Sequence, residues 1–287
     1  MSELRKVLGV LGYPITHSLS PLMHSRAIHA LGLNYLYLPF EVLPDQLGSA
    51  VYGLRALGFR GASVTIPHKE QVMQYLDEID DDAQLIGAVN TIRVEEGKLQ
   101  GFNTDGYGFL TSLKEEMGEI PEGKRILLLG AGGAARSLAV HLALAKAKEI
   151  TIVNRTPSRG EQLASHLQDR IGFFSVSSRP LNHAVLKEYL LRVDIVINST
   201  SVGMKGGGEF PFPYHLLSPD HVVCDIVYTP LETELLKRAK EQHARVLPGL
   251  GMLINQGSLA FEIWTGKKFP VEVVRDALTA ELAHRQA

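Results

Sequence analysis

Cysteine is almost missing from this chain: Cys224 is the only one in 287 residues, so no intrachain disulfide can form. It stands in the apolar run Val222-Val223-Cys224-Asp225-Ile226-Val227, which reads as a buried strand with the thiol as core filler. Also missing is any run near the roughly 20 apolar residues of a membrane span. The short apolar stretch after Met1-Ser2-Glu3-Leu4-Arg5-Lys6 is broken by Gly12-Tyr13-Pro14 without a small-residue cleavage pattern, so the expected location is cytoplasmic. Charge of one sign does not accumulate either. The formal net charge is −2 and basic residues never cluster beyond short pairs, which removes the electrostatic case for nucleic acid or an anionic membrane as the main partner. A small anionic ligand stays open. Repeats and low-complexity tracts are lacking, which excludes solenoids and disordered tails. The eleven histidines, among them His17, His24, His29 and His68, show no HExxH or similar ligand spacing, so no metal is expected.

What is present is an ordinary globular composition, 45% hydrophobic and 21% charged, on a chain long enough for two domains. Strand and helix patterns alternate. Lys6 to Leu11, Tyr35 to Phe40 and Gly61 to Ile66 read as strands, with helices over Pro21 to Leu31 and Gln46 to Leu57. Pro67 stops the third strand and suits the first turn of a following helix. Asp80-Asp81-Asp82 reads as a solvated helix start. A second alternation begins near Pro121, with strands at Arg125 to Leu129, Ile150 to Val153, Asp194 to Asn198 and His221 to Val227. Helices are expected at Arg136 to Ala145, Pro157 to Leu167 and Glu232 to Glu241. Two amphipathic helices, Met252 to Thr265 and Val271 to His284, close the pattern, and Val274, Leu278 and Leu282 share one face of the last. The fold class this implies is α/β: largely parallel sheets with helices on their faces, the final helices returning to the first domain.

Between the strand ending at Leu129 and the helix from Arg136 lies Gly130-Ala131-Gly132-Gly133-Ala134-Ala135. In that context it is a dinucleotide-binding turn. Gly130 permits the tight bend, Gly132 lets the backbone approach a pyrophosphate, and Ala135 allows close helix–strand packing. Free N–H groups and the positive end of the helix dipole then stabilise the phosphates. The next strand ends in Asn154-Arg155-Thr156, where an NAD site usually carries Asp or Glu for the ribose 2′-hydroxyl. A carboxylate would repel a 2′-phosphate, whereas Arg155 can pair with it or stack on adenine. NADP is therefore the expected cofactor, with Asn154 and Thr156 as neutral donors and Arg159 as a second phosphate partner.

Further polar motifs mark the first domain. Ser18-Leu19-Ser20-Pro21 precedes the first helix, where its hydroxyls can cap the helix or bind a carboxylate. Ser63-Val64-Thr65-Ile66-Pro67-His68-Lys69 puts a hydroxyl and an ammonium at a strand end, with His68 able to line a cleft. Gly87-Ala88-Val89-Asn90-Thr91 and Gly101-Phe102-Asn103-Thr104-Asp105-Gly106 add an amide and a carboxylate on Gly-flanked turns.

With the glycine turn, with Asn198-Ser199-Thr200-Ser201-Val202-Gly203-Met204, and with Gly249-Leu250-Gly251-Met252 and Gln256, this set resembles the shikimate dehydrogenase family from end to end. The resemblance implies a substrate domain over residues 1–106, a Rossmann-like NADP domain over residues 107–247, helices over 248–287 that complete the first, and a cleft between the two. It implies that Ser18 and Ser20 hold the shikimate carboxylate, that Thr65, Asn90, Asp105 and Gln256 hold ring hydroxyls, and that Lys69 is catalytic. Tyr228 would lie near the substrate, with Ile226 and Gly249 near the nicotinamide and Gly130 to Ala134 on the pyrophosphate. Ser63 and Ser25 stand where the family often has Asn, and both look like supporting positions.

The chemistry so implied is reversible reduction of 3-dehydroshikimate to shikimate. Lys69 would give or take the hydroxyl proton, beside an Asp105 carboxylate that orients it. A quinate-accepting dehydrogenase and a catalytically silent NADP-binding paralogue are the alternatives; a homodimer is the assembly left open.

Overall fold

Short apolar runs punctuated by Gly, Pro and Asn become the strands of this chain, and the Ala/Leu-rich stretches between them become helices. A computed structural model describes residues 4–204, 208 and 210–286. Two compact units emerge, one of Met1–Asp105 with Ile254–Ala287 and the other of Gly106–Leu253.

The first unit opens with β1 (Lys6–Gly12), α1 (Ser20–Ala30), β2 (Tyr35–Glu41), α2 (Leu47–Ala56) and β3 (Gly61–Val64). It continues through β4 (Glu78–Ile79), α3 (Asp81–Ile86), β5 (Thr91–Glu95) and β6 (Lys98–Phe102). The strands lie in the order β2-β1-β3-β5-β6-β4. β1 runs parallel to both neighbours, as the βαβ pattern requires, but β5 runs antiparallel to β3 and to β6. β5 and β6 are joined by a two-residue hairpin at Glu96 and Gly97, both at positive φ, a conformation that matches the twist of paired strands. α2 buries Leu47, Val51 and Leu54 on one stripe against Val64, Ile92 and Leu99 of the sheet.

Asp80 does start a helix, capping α3 by accepting from the Asp82 N–H. The helix expected after Pro67 does not form. The Lys69 carbonyl, which an α-helix would need four residues on, accepts from Val89 N–H at 2.8 Å, and only a short 3₁₀ turn at Gln71–Tyr75 follows.

α4 (Asp105–Met117) leads into the second unit, built of β7 (Arg125–Leu129), α5 (Gly133–Leu144), β8 (Glu149–Asn154), α6 (Pro157–His166), β9 (Val176–Pro180) and α7 (His183–Leu190). β10 (Ile195–Asn198), β11 (Val222–Asp225), α8 (Glu234–Glu241) and β12 (Arg245–Leu247) complete its sheet, whose order is β12-β11-β10-β7-β8-β9 with every pairing parallel. β7 therefore sits at a switch point: the chain winds outward through β8 and β9, then returns to its other side for β10, the doubly wound Rossmann order. Ile126 to Leu129 are fully buried, as a two-sided parallel strand demands, and Cys224 is buried on β11. Two last helices follow, α9 (Leu250–Thr265) and α10 (Val271–Gln286); α10 buries Val274, Leu278 and Leu282 and packs on α1. No helix among the described residues is long and apolar enough to cross a membrane.

Candidate active site

Strand direction gathers the polar motifs of the first unit at one end of its sheet. Ser18 and Ser20 follow the carboxyl end of β1, Thr65 and Lys69 follow that of β3, and Asn103 to Asp105 follow β6. Asn90 and Thr91 join them from the start of β5, because β5 runs backwards and pairs Thr91 with Ser63 and with Phe102. Ligands of open α/β sheets collect at this end.

Three of the anticipated residues meet in one hydrogen-bonded cluster. Lys69 Nζ donates to Asp105 Oδ2 at 2.5 Å, with their side chains 13% and 5% exposed. Asn90 Nδ2 donates to Asp105 Oδ1 at 2.8 Å and to Thr104 Oγ1 at 2.9 Å. The Asn90 carbonyl oxygen in turn accepts from Thr91 Oγ1 and from the Thr104 N–H. Asn103 fixes the start of α4, donating to the Ala88 carbonyl and accepting from the Asp105 N–H. A buried amide thus fixes the carboxylate, and the carboxylate fixes the ammonium, leaving Lys69 only partly covered at the sheet end. Thr91, Asn103 and Thr104 belong to this cluster although no role was expected of them. The recurring Asn-Thr pairs at 90–91 and 103–104 were the available signal.

The other anticipated residues of the first unit have settings of their own. Ser18 does not cap α1, whose N-cap is Leu19 without a side-chain bond; its hydroxyl oxygen accepts instead from the Ser20 N–H at 3.2 Å. That N–H is thus satisfied locally, and the Ser18 hydroxyl keeps its own proton for a ligand. Thr65 is half-buried against Gly12, where a Cβ would stand 2.4 Å from its methyl. Gln256 is half-buried on α9; its neighbour Gly257 packs against Met23 of α1, the helix that Ser20 opens. His68 does not line an open space. It is fully buried, with Nε2 donating to the Val42 carbonyl at 2.7 Å, and so anchors the turn that carries Lys69.

In the second unit the glycine turn has the shape its residues suggested. Gly130 has φ +114°, and a Cβ there would lie 2.7 Å from Ser199 Oγ. Both constraints exclude other residues. Gly132 is the N-cap of α5 with nothing within 4 Å of the Cβ position, and Ala131, Gly133 and Ala134 are half-exposed beside it. That leaves an open helix N-terminus at a switch point, which suits a pyrophosphate. Asn154 donates to the Thr156 carbonyl at 2.8 Å, shaping the turn on which Arg155 is exposed, and Arg159 is exposed in the first turn of α6. Gly249 lies against Ile226, whose carbonyl oxygen would be 2.4 Å from a Cβ, so these two anticipated positions are adjacent; Tyr228 follows, half-buried.

Behind them lies an unanticipated network. Asp225 accepts from Asn198 Nδ2, the Val227 N–H and Thr233 Oγ1, and burial raises its pKa to about 6. A lone acid inside the apolar run Val222 to Val227 was the signal for it.

Three family profiles match the chain: "Shikimate dehydrogenase substrate binding domain" over residues 10–92, "Shikimate / quinate 5-dehydrogenase" over 112–204, and "Shikimate 5'-dehydrogenase C-terminal domain" over 249–279. A shikimate dehydrogenase (NADP(+)) of Methanopyrus kandleri is 47% identical over 280 residues, covering 96% of each chain. Among solved structures, a shikimate dehydrogenase in complex with NADP+ superposes with a TM-score of 0.90 at 46% identity, covering 96% of both chains. The shikimate 5-dehydrogenase of Listeria monocytogenes, in complex with shikimate and NAD, gives 0.87 at 38% identity over 97% of this chain and 99% of that one. Across nearly its whole length, then, the chain belongs to the shikimate dehydrogenase family.

Proposed function

We propose that the protein is an NADP-dependent shikimate dehydrogenase, reversibly reducing 3-dehydroshikimate to shikimate within aromatic amino-acid biosynthesis. The observation that carries this reading is the Lys69–Asp105–Asn90 cluster: an oriented ammonium at the ligand-binding end of a sheet. Reduction of a ketone needs a proton for the oxygen as it becomes an alkoxide. Lys69 gives that proton and, in the reverse direction, takes it from the alcohol. Asp105 aims the ammonium, and Asn90 holds Asp105. Ser18 and Ser20 take the carboxylate, Thr65, Asn90, Asp105 and Gln256 the ring hydroxyls, and Tyr228 is assigned to the substrate as well.

The fit to NADP rests on the turn itself, where Gly130 admits no side chain and Gly132 leaves the backbone bare at the start of α5. Gly130 to Ala134 would take the pyrophosphate, Asn154, Arg155, Thr156 and Arg159 the 2′-phosphate end, and Ile226 and Gly249 the nicotinamide. When bound, the dinucleotide supplies the hydride. The substrate unit is proposed as residues 1–106 with 248–287 and the cofactor unit as 107–247. A cytoplasmic location and a homodimer complete the reading, and cell fractionation and sedimentation equilibrium check them.

The deciding experiment follows reduced nicotinamide formation with shikimate and NADP⁺, with NAD⁺ and quinate as parallel arms. Fast turnover confined to shikimate with NADP⁺ is expected. Equal rates with quinate would shift the assignment to the broader dehydrogenase, and binding without turnover to a silent paralogue.

A further inference from the structure

Asn198 and Asp225 are partners in register at the carboxyl ends of β10 and β11, and neither carries a role in the reading above. They are 0% and 2% exposed, and the amide uses all its hydrogen-bonding capacity. Asn198 Nδ2 gives one proton to Asp225 Oδ1 and the other to the Val202 carbonyl, each at 2.9 Å. Its Oδ1 accepts from the Thr200 N–H at 2.9 Å and from Thr200 Oγ1 at 2.8 Å. Turning the amide over would set its oxygen against the carboxylate and its protons against the Thr200 N–H, so one orientation is locked.

The two residues hold different loops. On the Asn198 side the chain closes over the glycine turn. Ser199 Oγ donates to the Leu129 carbonyl at 2.6 Å, and a Cβ on Gly130 would meet Ser199 Oγ at 2.7 Å and the Thr200 methyl at 2.9 Å. On the Asp225 side, Oδ1 also accepts from the Val227 N–H at 3.0 Å, which bends the chain after β11. Gly249 rests on that bend, its Cβ position 2.4 Å from the Ile226 carbonyl oxygen and 2.8 Å from that of Val227. Oδ2 faces elsewhere and accepts from Thr233 Oγ1 at the N-cap of α8. The bond from Asn198 Nδ2 to Asp225 Oδ1 is thus a side-chain link between the glycine turn and the two positions assigned to the nicotinamide. Hydride transfer is sensitive to such a link, since a displacement of about 1 Å can cost about 10² in rate.

We propose that Asn198 and Asp225 are positioning residues for the nicotinamide: their hydrogen bond fixes the Ile226–Val227 bend relative to the glycine turn, and so the reacting ring relative to its phosphates. This rests on the assignment of Gly130, Ile226 and Gly249 to the dinucleotide. Each side chain acts through the backbone that it holds.

The test pairs calorimetric binding with steady-state kinetics and uses two ligands, NADP⁺ and adenosine 2′,5′-bisphosphate, which has the 2′-phosphate end but no nicotinamide. Asp225→Ala removes the carboxylate and all its links. Asp225→Ser keeps a hydroxyl for the Val227 N–H but ends short of Asn198, so it cuts the cross-strand link and serves where the alanine variant does not fold. In either, NADP⁺ binding should weaken about fivefold to tenfold and kcat fall about tenfold to a hundredfold, with the bisphosphate within about twofold of wild type. Asp225→Asn, which still has an oxygen in the Oδ1 place, should bring NADP⁺ affinity and kcat back to within about threefold. Thr233→Val breaks the bond to Oδ2 and the cap of α8, so it should lower the urea midpoint and leave kcat and both affinities within about twofold.

Equal weakening of NADP⁺ and the bisphosphate would overturn the proposal, and so would a Thr233→Val variant that lost kcat as Asp225→Ser does, because the carboxylate would then only stabilise the unit. An Asp225→Ser variant that kept kcat and NADP⁺ affinity would overturn it too, while turnover of shikimate by the wild type would leave the dehydrogenase reading standing. Without that turnover the dehydrogenase reading fails instead, and the affinity split alone decides the link. A wild type that did not bind NADP⁺ would overturn both.

Discussion

Replacing Lys69 by alanine removes the proton donor and also strands a buried carboxylate, so the two losses have to be separated. In the wild type Asp105 Oδ2 lies 2.5 Å from Lys69 Nζ, and the aspartate side chain is 5% exposed. Deleting one partner of a buried pair costs about 3–5 kcal/mol. Here the cost is lower, about 1–3 kcal/mol, because Asn90 still donates to Oδ1 and the space vacated by the lysine admits water. Loss of a positioned general acid costs about 10²–10⁴ in kcat, or about 3–5 kcal/mol of barrier. Urea unfolding reads the first quantity and steady-state turnover the second. Lys69→Met combined with Asp105→Asn removes the stranded charge while keeping the shapes, so it should regain part of the stability and none of the rate. The assignment would be refuted by Lys69→Ala keeping more than about a tenth of wild-type kcat. It would be refuted equally by a double variant whose activity returned in step with its stability.

The two glycines of the cofactor turn should fail differently. Gly130→Ala forces a side chain into positive φ and into Ser199, costing about 1–3 kcal/mol of stability on thermal or urea unfolding. Gly132→Ala meets nothing within 4 Å, so it should fold within about 1 kcal/mol of wild type yet bind NADPH at least about tenfold more weakly by fluorescence titration; unchanged binding would remove the pyrophosphate from that position. Arg155→Gln should raise the KM for NADP⁺ about tenfold or more and leave that for NAD⁺ unchanged, since only the 2′-phosphate needs the guanidinium. Asp225 gives a pH dependence of definite sign. Its native pKa of about 6 lies above its ordinary 3.8, so the native state binds the proton more tightly. The stability this confers is complete below about pH 4 and is lost as pH rises through 6, a change of up to about 3 kcal/mol. Measured as wild type minus Asp225→Asn in urea at pH 4 and pH 7, a difference that grew with pH would reverse the assignment.

How far the sequence discloses all this depends on the range over which each feature is decided. The glycine turn is local: a strand, a bend that only Gly130 tolerates and a helix are contiguous, and the structure has them where the residues suggested. Lys69 and Asp105 are 36 residues apart, and their meeting depends on β5 and β6 folding back between them. That hairpin turns on Glu96-Gly97, a weaker signal than Asn-Gly, in a stretch whose Gly101 and Arg93 blur the alternation. The resemblance to a family therefore had to carry what periodicity did not. α4 is obscured in the sequence for a related reason, since Gly106 and Gly108 interrupt its helical pattern; yet Gly106 is required, because a Cβ there would lie 2.1 Å from His141 Nδ1. Tyr37 is the limiting case. In Tyr35-Leu36-Tyr37-Leu38 both aromatics are good strand formers on the same face, and composition does not distinguish them. The register Leu8 to Tyr37 and Val10 to Ser63 does. It buries one phenol against Ser63 and leaves Tyr35 half-buried under Lys6. A side chain whose partner lies two strands away leaves no spacing of its own in the chain, so the pair comes into view only when the strand order is known.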